Sequence, residues 1–212
     1  CVFDFAESKV VAWDNISLVP NGGRYIPANN VQYVRAFVQR FREYFDHAFQ
    51  VVIERQMRVN MRIVEAVLQS MYYADCTVVS ARAVKVHYGL STHNYRTNKA
   101  KAVEWAVAFV ENNPSAFSAR AALALEQFQR ASKQDDLADS LLLVMYYLDT
   151  YSNPRGGRPT NEPNWTRISK IWGWVSSLEF RDCNLKLDSL GIYHPSKFGL
   201  QPNYSLIASV GC

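Results

Sequence analysis

A short apolar segment that ends in a glutamate places the strongest constraint on how this chain can fold. Residues 50–53 have the apolar, β-branched character of a buried strand, and Glu54 follows them directly. A carboxylate at the end of a buried strand costs free energy unless a cation or a hydrogen-bond donor compensates its charge. We therefore expect a positively charged group next to Glu54 in the folded protein.

A second acidic segment lies far along the chain, where Asp135, Asp136 and Asp139 open an apolar helix. Asp136 and Asp139 are three residues apart, so on a helix they project from one face and can hold the same ion. The apolar run of residues 141–145 predicts that this helix is largely buried. Together, Glu54, Asp136 and Asp139 predict a cluster of metal-binding carboxylates. For Asp135, a capping role in the first helical turn is the alternative.

The composition is that of a globular protein with one medium domain and room for an appendage. The chain has 212 residues, of which 49% are hydrophobic and 20% charged. Such a composition excludes disorder as the default. The net charge of +4 permits a nucleic-acid partner without demanding one.

The four cysteines lack the paired spacing of a zinc site or a compact disulfide framework, which favours a reduced, intracellular protein. They are Cys1, Cys76, Cys183 and Cys212. No apolar stretch approaches the roughly 20 residues needed to span a bilayer, and the sequence begins without a signal-peptide pattern. We expect a soluble protein with no membrane partner.

Strand-like and helix-like segments alternate through residues 1–149, which predicts an α/β fold with a mixed sheet. Strands are predicted at residues 2–5, 9–16, 51–54 and 77–79, the first two forming a hairpin. Helices are predicted at residues 30–45, 59–73, 99–111, 116–130 and 137–148. Residues 84–88 fit a short strand, although residues 81–87 also fit a helix. The basic, Pro- and Gly-containing segment 152–159 predicts a domain boundary near residue 150, with residues 150–212 forming a linker and a C-terminal extension.

The order of these segments resembles the viral and mitochondrial branch of the RuvC-like Holliday junction resolvases. The likeness spans residues 1–149 and is carried by the hairpin at residues 1–13, by the glutamate motif at residues 53–56 with Arg58, Asn60 and Ile63, by the basic stretches 83–88 and 98–102, and by the acidic motif 133–141. The glutamate and acidic motifs are the more specific ones, because residue type, order and setting all agree.

The resemblance implies an RNase H-like fold, a homodimer and magnesium-dependent cutting of four-way DNA junctions in recombination or replication, with Mn²⁺ able to substitute for Mg²⁺. By position it assigns catalytic roles to Glu54, Asp136 and Asp139, which are also the implied metal ligands, and an accessory role to Asp135. The implied compartment is a site of viral DNA replication or the mitochondrion.

Members of that family also carry a first catalytic aspartate on a strand just upstream of the hairpin, and we expect that strand to precede Cys1. Asp4 does not replace this aspartate, because it matches a residue at the end of the next strand. The sequence therefore holds three of the four implied carboxylates, which leaves open whether this fragment cleaves DNA.

Contacts to DNA phosphates require cationic side chains. The candidates are Lys85, Arg96, Lys99, Lys101 and Lys133, with Arg55 and Arg58 close to the proposed metal site. For each of them a solvated surface position is the alternative. Two further functions stay open at this point: a junction-binding protein without catalysis, and an RNase H-like nuclease that acts on another nucleic acid.

Overall fold

The computed structural model describes residues 1–19, 23–119, 123–151 and 205–209. Within these ranges the chain forms a five-stranded mixed sheet with helices on both faces. The predicted α/β class with a mixed sheet is confirmed.

The predicted hairpin at the start of the sequence is present. Strand β1 (Val2–Asp4) pairs in antiparallel fashion with β2 (Lys9–Ala12). In the turn between them, Asp4 Oδ1 accepts hydrogen bonds from the backbone N–H groups of Ala6, at 2.7 Å, and Glu7, at 3.2 Å. The carboxylate of Asp4 therefore serves the turn, as short acidic side chains often do.

The remaining strands are β3 (Ala48–Glu54), β4 (Cys76–Val79) and β5 (Ser205–Ser209), and the order across the sheet is β2-β1-β5-β3-β4. Strand β5 lies between β1 and β3, antiparallel to the former and parallel to the latter. Strand β4 pairs with β3 in parallel, with Glu54 opposite Val79. A segment near the end of the sequence thus occupies the centre of the sheet.

The helices cover the two faces of this sheet. They are α1 (Asn30–Arg40), α2 (Arg42–Phe45), α3 (Val59–Met71), α4 (Ala81–His87), α5 (Tyr95–Asn112), α6 (Ala124–Arg130) and α7 (Gln134–Tyr151). Of the two alternatives left open, a short strand at residues 84–88 and a helix at residues 81–87, the structure shows the helix. The helix predicted for residues 116–130 is shorter, because Phe117 instead bridges Val10 of β2, and Ser118 N–H donates to Val10 O at 3.0 Å.

Two hydrophobic cores flank the sheet. On the α1/α3 face, Val51 and Ile53 of β3 pack with apolar residues of α1 and α3, namely Val34, Val38, Met61, Val64 and Leu68. On the α5/α7 face, Val52 packs with a larger set that includes Phe109 of α5 and Leu141 of α7. Successive side chains of a strand point to opposite faces, which explains the alternation along β3.

The predicted domain boundary near residue 150 stays a prediction. Helix α7 continues through Tyr151, and residues 152–204 lie outside the described ranges. Within the segment assigned to the C-terminal extension, residues 205–209 pair with β1 and β3 as part of the same sheet.

Candidate functional site

Glu54 lies at the end of β3 and belongs to the α5/α7 face. It follows Val52 by two residues, and Val52 packs in the core of that face, so the period of the strand directs Glu54 toward α7 as well. Gln50, two residues before Val52, supports this orientation, because its Oε1 accepts a hydrogen bond from the Tyr147 hydroxyl of α7 at 3.3 Å.

The Gln50–Tyr147 contact also explains how the acidic start of α7 reaches Glu54. From Gln50 to Glu54 a strand advances about 13 Å. From Tyr147 back to Asp139 a helix covers about 12 Å. The two elements therefore run side by side in opposite directions, and this alignment brings Asp139 level with Glu54.

A tryptophan of the N-terminal hairpin fixes the first turns of α7. The indole Nε1–H of Trp13 donates to Leu137 O at 2.9 Å and lies 3.2 Å from Ser140 Oγ. Its ring stacks on Phe128 of α6, with ring centroids 5.0 Å apart. Because these contacts are buried, they hold the backbone that carries Asp136 and Asp139 against the sheet.

The electrostatics show that the predicted carboxylates share one environment. Burial raises the pKa of Glu54 to about 7, and the charges of Asp139 and Asp136 add to that rise, while Lys85 and Lys99 oppose it. A buried carboxyl beside other carboxylates gives up its charge unless a cation compensates. Glu54 and the α7 aspartates, distant in the sequence, are thus brought close enough to interact.

Each aspartate at the start of α7 has its own lysine partner. The Lys85 ammonium lies 3.2 Å from Oδ1 and 3.4 Å from Oδ2 of Asp139. Lys99 pairs with Asp135, and Lys133 approaches Asp136 Oδ2 at 3.7 Å. The aspartates are therefore compensated by lysine side chains, whereas the positive charge expected next to Glu54 is supplied only in part, by the more distant influence of Lys85 and Lys99.

Burial and the lysines oppose each other at Asp139 and Asp135, and the net pKa shifts of the two acids differ in direction. Burial raises the pKa of Asp139, and this effect exceeds the opposing influence of Lys85. Burial also acts to raise the pKa of Asp135, but the hydrogen bond from Lys99 and its charge outweigh it, and the pKa lies below its ordinary value. The same hydrogen bond raises the pKa of Lys99. Asp135 thus acts as the anionic half of an ion pair.

The carboxylates interact without forming a ready coordination sphere. Within residues 1–19, 23–119, 123–151 and 205–209, no three acidic, histidine or cysteine side chains are arranged to hold one metal ion. Glu54, Asp136 and Asp139 consist only of oxygen donors, which suits Mg²⁺ in chemical type. In this geometry, however, the aspartates face lysines and do not surround a common point.

The predicted DNA-binding residues differ in exposure and in whether an aspartate already pairs with them. Arg55, Arg58, Arg96 and Lys133 are exposed, as phosphate contacts require. Lys85 is buried, and Lys85, Lys99 and Lys133 contact aspartates. Lys101 lies about 200° around α5 from Lys99, on the other flank of that helix.

Sequence reasoning missed the residues that hold the loop after β3. The backbone N–H of Gln56 donates to Glu65 Oε2 at 2.7 Å, and Arg62 Nε donates to Gln56 O at 3.2 Å. Both partners come from α3, so this helix fixes the segment that carries Arg55 and Arg58. The charges of α3 gave no local signal of this role, because the contact depends on how the loop folds back.

A second polar cluster joins α4 to the far end of α7. His87 Nε2 and the Tyr88 hydroxyl each lie 3.0 Å from Asp149 Oδ2. The His87 ring also meets the Tyr146 ring edge to face, at a centroid distance of 5.2 Å. This cluster and the Lys85–Asp139 pair connect α4 to α7 at two levels.

Comparison with known proteins does not extend these observations. No protein-family model matches the chain, and no curated protein or solved structure matches it. Among the described residues, no helix combines the length and apolar character needed to cross a membrane.

Proposed function

We propose that this chain is the nuclease domain of a magnesium-dependent, structure-selective endonuclease that resolves four-way DNA junctions. One observation carries the proposal. The charges of Asp136 and Asp139, at the start of a buried helix, raise the pKa of Glu54, at the end of a buried strand, so these acids lie close together although they are distant in the sequence. Two-metal phosphodiester hydrolysis uses neighbouring acidic side chains to hold its ions.

The architecture supports the RNase H-like part of the proposal. A mixed sheet with an antiparallel hairpin at one side, parallel strands at the other and helices on both faces is compatible with that fold. The resemblance implies one more aspartate on a strand next to the hairpin. Strand β5 lies beside β1, and residues 205–209 contain no acidic residue. This strand therefore does not supply the additional aspartate.

The acids of the site are suited to a hard divalent cation. Glu54, Asp136 and Asp139 would hold Mg²⁺, or Mn²⁺ in its place, once the aspartates leave their lysines. The bound ion would supply an activated water and would neutralise the leaving oxygen. The raised pKa of Glu54 indicates that the site has too little positive charge near this carboxyl.

The exposed cations support a DNA partner. Arg55 follows Glu54 directly, and Arg58 lies further along the same loop after β3. Lys133 directly precedes α7, whose first turn carries Asp136. Basic side chains beside the acids can bind the phosphates that flank a cleavage point. We further propose that the protein acts as a homodimer, since a four-way junction presents two symmetric strands for cutting.

The decisive experiment compares Asp139→Asn with the unaltered full-length protein on a synthetic four-way junction in Mg²⁺. We expect the variant to lose cleavage and to keep junction binding, because the amide cannot supply the anionic ligand. Asp75→Asn, at an exposed aspartate after α3, is the matched control and should cut normally. Full cleavage by Asp139→Asn would refute the assignment.

A second candidate is a junction-binding protein without catalysis. The lysine partners of Asp135, Asp136 and Asp139 favour it, since each carboxylate is already compensated. Junction binding without cleavage in Mg²⁺ or Mn²⁺ would select this alternative. Preferential cleavage of flaps or RNA–DNA hybrids would instead indicate an RNase H-like nuclease with another substrate.

A further inference from the structure

Lys85 stands apart from the other cations of the site because it is buried. Within the part of the chain that the structure describes, it is the one charged residue that is buried, with 9% of its surface exposed. Taking an ammonium group out of water is costly even when it has a partner. A lysine that only contacted DNA phosphates would gain nothing from such a position, so its burial points to a role inside the site.

The ammonium of Lys85 blocks the carboxylate of Asp139. Its Nζ is nearly equidistant from the two carboxylate oxygens, 3.2 Å from Oδ1 and 3.4 Å from Oδ2. A charged ammonium has donors and no acceptor, so it cannot join a metal's coordination sphere. A cation approaching Asp139 and the Lys85 ammonium therefore compete for the same oxygens.

The other two lysines are more accessible to solvent. The side chains of Lys99 and Lys133 are 34% and 57% exposed, against 11% for Lys85. Lys133 is exposed enough for its pair with Asp136 to contribute little free energy, and Lys99 is bound to Asp135, which is not one of the proposed metal ligands. The charge of Lys85 also reaches Glu54, on which it acts more strongly than Lys99 does. Lys85 is thus the cation most closely associated with both acids.

We infer that Lys85 is a resident counter-ion that holds Asp139 in place and must release it when a divalent cation binds, so that Lys85 sets the metal affinity of the site. It is a positioning residue. The inference rests on the proposed function for the identity of the metal site, and it deepens that function by naming the group with which the metal competes.

The test is Mn²⁺ binding to the full chain, measured by titration calorimetry, for the unaltered protein and for Lys85→Met. Methionine keeps an apolar stem of similar length and removes the charge. Because a unit charge a few ångström from the ligands is removed, we expect about tenfold tighter Mn²⁺ binding. Lys101→Met changes the net charge equally, away from the Asp135-paired side of α5, and should shift the affinity by less than about twofold.

If Lys85 only supports the fold, removing its charge should not tighten Mn²⁺ binding. If Lys85→Met binds Mn²⁺ no more tightly than the unaltered protein, or if neither binds it, the inference is wrong. Lys85→Arg retains the charge and should restore affinity close to that of the unaltered protein.

A second measurement on the unaltered protein covers the case in which Lys85→Met does not fold. Amine labelling followed by mass spectrometry should show Lys85 protected without metal and more reactive at saturating Mg²⁺. Unchanged protection would also overturn the inference. Tighter Mn²⁺ binding by Lys85→Met in a protein that cuts no junction would refute the proposed function and leave the counter-ion role standing.

Discussion

The two faces of the sheet are built on the same strand but bury different kinds of side chain. On the α1/α3 face, Val51 and Ile53 meet apolar residues, and the buried polar residue there, Asn30, has partners in Tyr25 and the Asn60 carbonyl. On the α5/α7 face, the same strand ends in Glu54 beside Asp139 and the buried Lys85.

Apolar packing stabilises both faces, whereas the charged end of the α5/α7 face costs stability. Apolar burial contributes in proportion to area, whereas buried ion pairs recover their desolvation cost only in favourable geometry. The raised pKa of Glu54 shows that the α5/α7 face does not recover it fully. Titratable side chains that are buried at a cost in folding free energy are typical of functional sites. Substitutions on each face test this difference.

The largest effect on stability is expected on the α1/α3 face. Leu68 of α3 is 2% exposed and packs in that core, so Leu68→Ala should lower the free energy of unfolding by about 2–5 kcal/mol. The loss should be the same at pH 5 and pH 8, because no titrating group is involved. Urea unfolding at both pH values checks this, with Ile63→Ala, at an exposed position of α3, as the control. A strongly pH-dependent loss would argue against the separation of the faces.

The next effect is a gain of stability on the other face. Glu54 has a pKa of about 7 in the folded protein against 4.5 as its ordinary value. Below pH 4.5 the carboxyl is largely protonated in both states. Between about pH 4.5 and 7 the unfolded state ionises it while burial keeps it protonated in the folded state, so stability falls across this range. This difference lowers stability by up to about 3 kcal/mol at pH 8.

Glu54→Gln should remove that loss, so the variant should match the unaltered protein near pH 4.5 and exceed it at pH 8. Part of the pH dependence should remain, because the pKa of Asp139 is raised as well. Urea unfolding from pH 4.5 to 8 is the measurement, and Glu43→Gln, at an exposed glutamate of α2, is the control. A variant less stable than the unaltered protein at pH 8 would contradict the cost assigned to Glu54.

How much of this site the sequence could predict depends on the range of the interactions. The alternation of Val51, Val52 and Ile53 and the acidic start of α7 are local patterns, so the strand, the helix and the carboxylates could be read directly. The burial of Lys85 could not, because the sequence fitted a strand at residues 84–88 as well as a helix at residues 81–87, and the surroundings of this lysine depend on α7.

The central strand was also beyond local reasoning. Residues 205–209 lie in a segment whose composition suggested a linker and extension, and their place between β1 and β3 depends on pairing with distant strands. Strand formation is decided largely by such tertiary context. The RNase H-like fold, the metal and the DNA substrate stay predictions, because they rest on a resemblance of motifs.

A smaller effect should follow from loosening the start of α7. Trp13→Phe replaces the buried indole with a smaller aromatic ring and removes the Nε1–H that donates to Leu137 O and Ser140 Oγ; the lost hydrogen bonds alone cost about 1–2 kcal/mol. Hydrogen exchange should accelerate at the first turns of α7. Tyr147→Phe, which removes the bond to Gln50 at the other end, should accelerate exchange there instead. Equal patterns in the two variants would mean that neither contact anchors its own end.

The smallest effect is expected for an exposed ion pair of the same chemical type. Glu126 and Arg130 of α6 are paired one helical turn apart, with most of both side chains exposed. Arg130→Ala should change the free energy of unfolding by less than about 0.5 kcal/mol, because solvent screens the pair. A loss above about 1 kcal/mol in urea unfolding would show that exposed charge on this protein matters more than burial predicts.

The position of β5 has a consequence for how the protein folds during its synthesis on the ribosome. Val2 pairs with Ile207, so β5 is synthesised long after β1, its neighbour in the sheet. Until residues 205–209 leave the exit tunnel, β1 and β3 present unpaired backbone edges, which invite association with other chains. A nascent chain stalled before that point should therefore depend on chaperones that cover such edges.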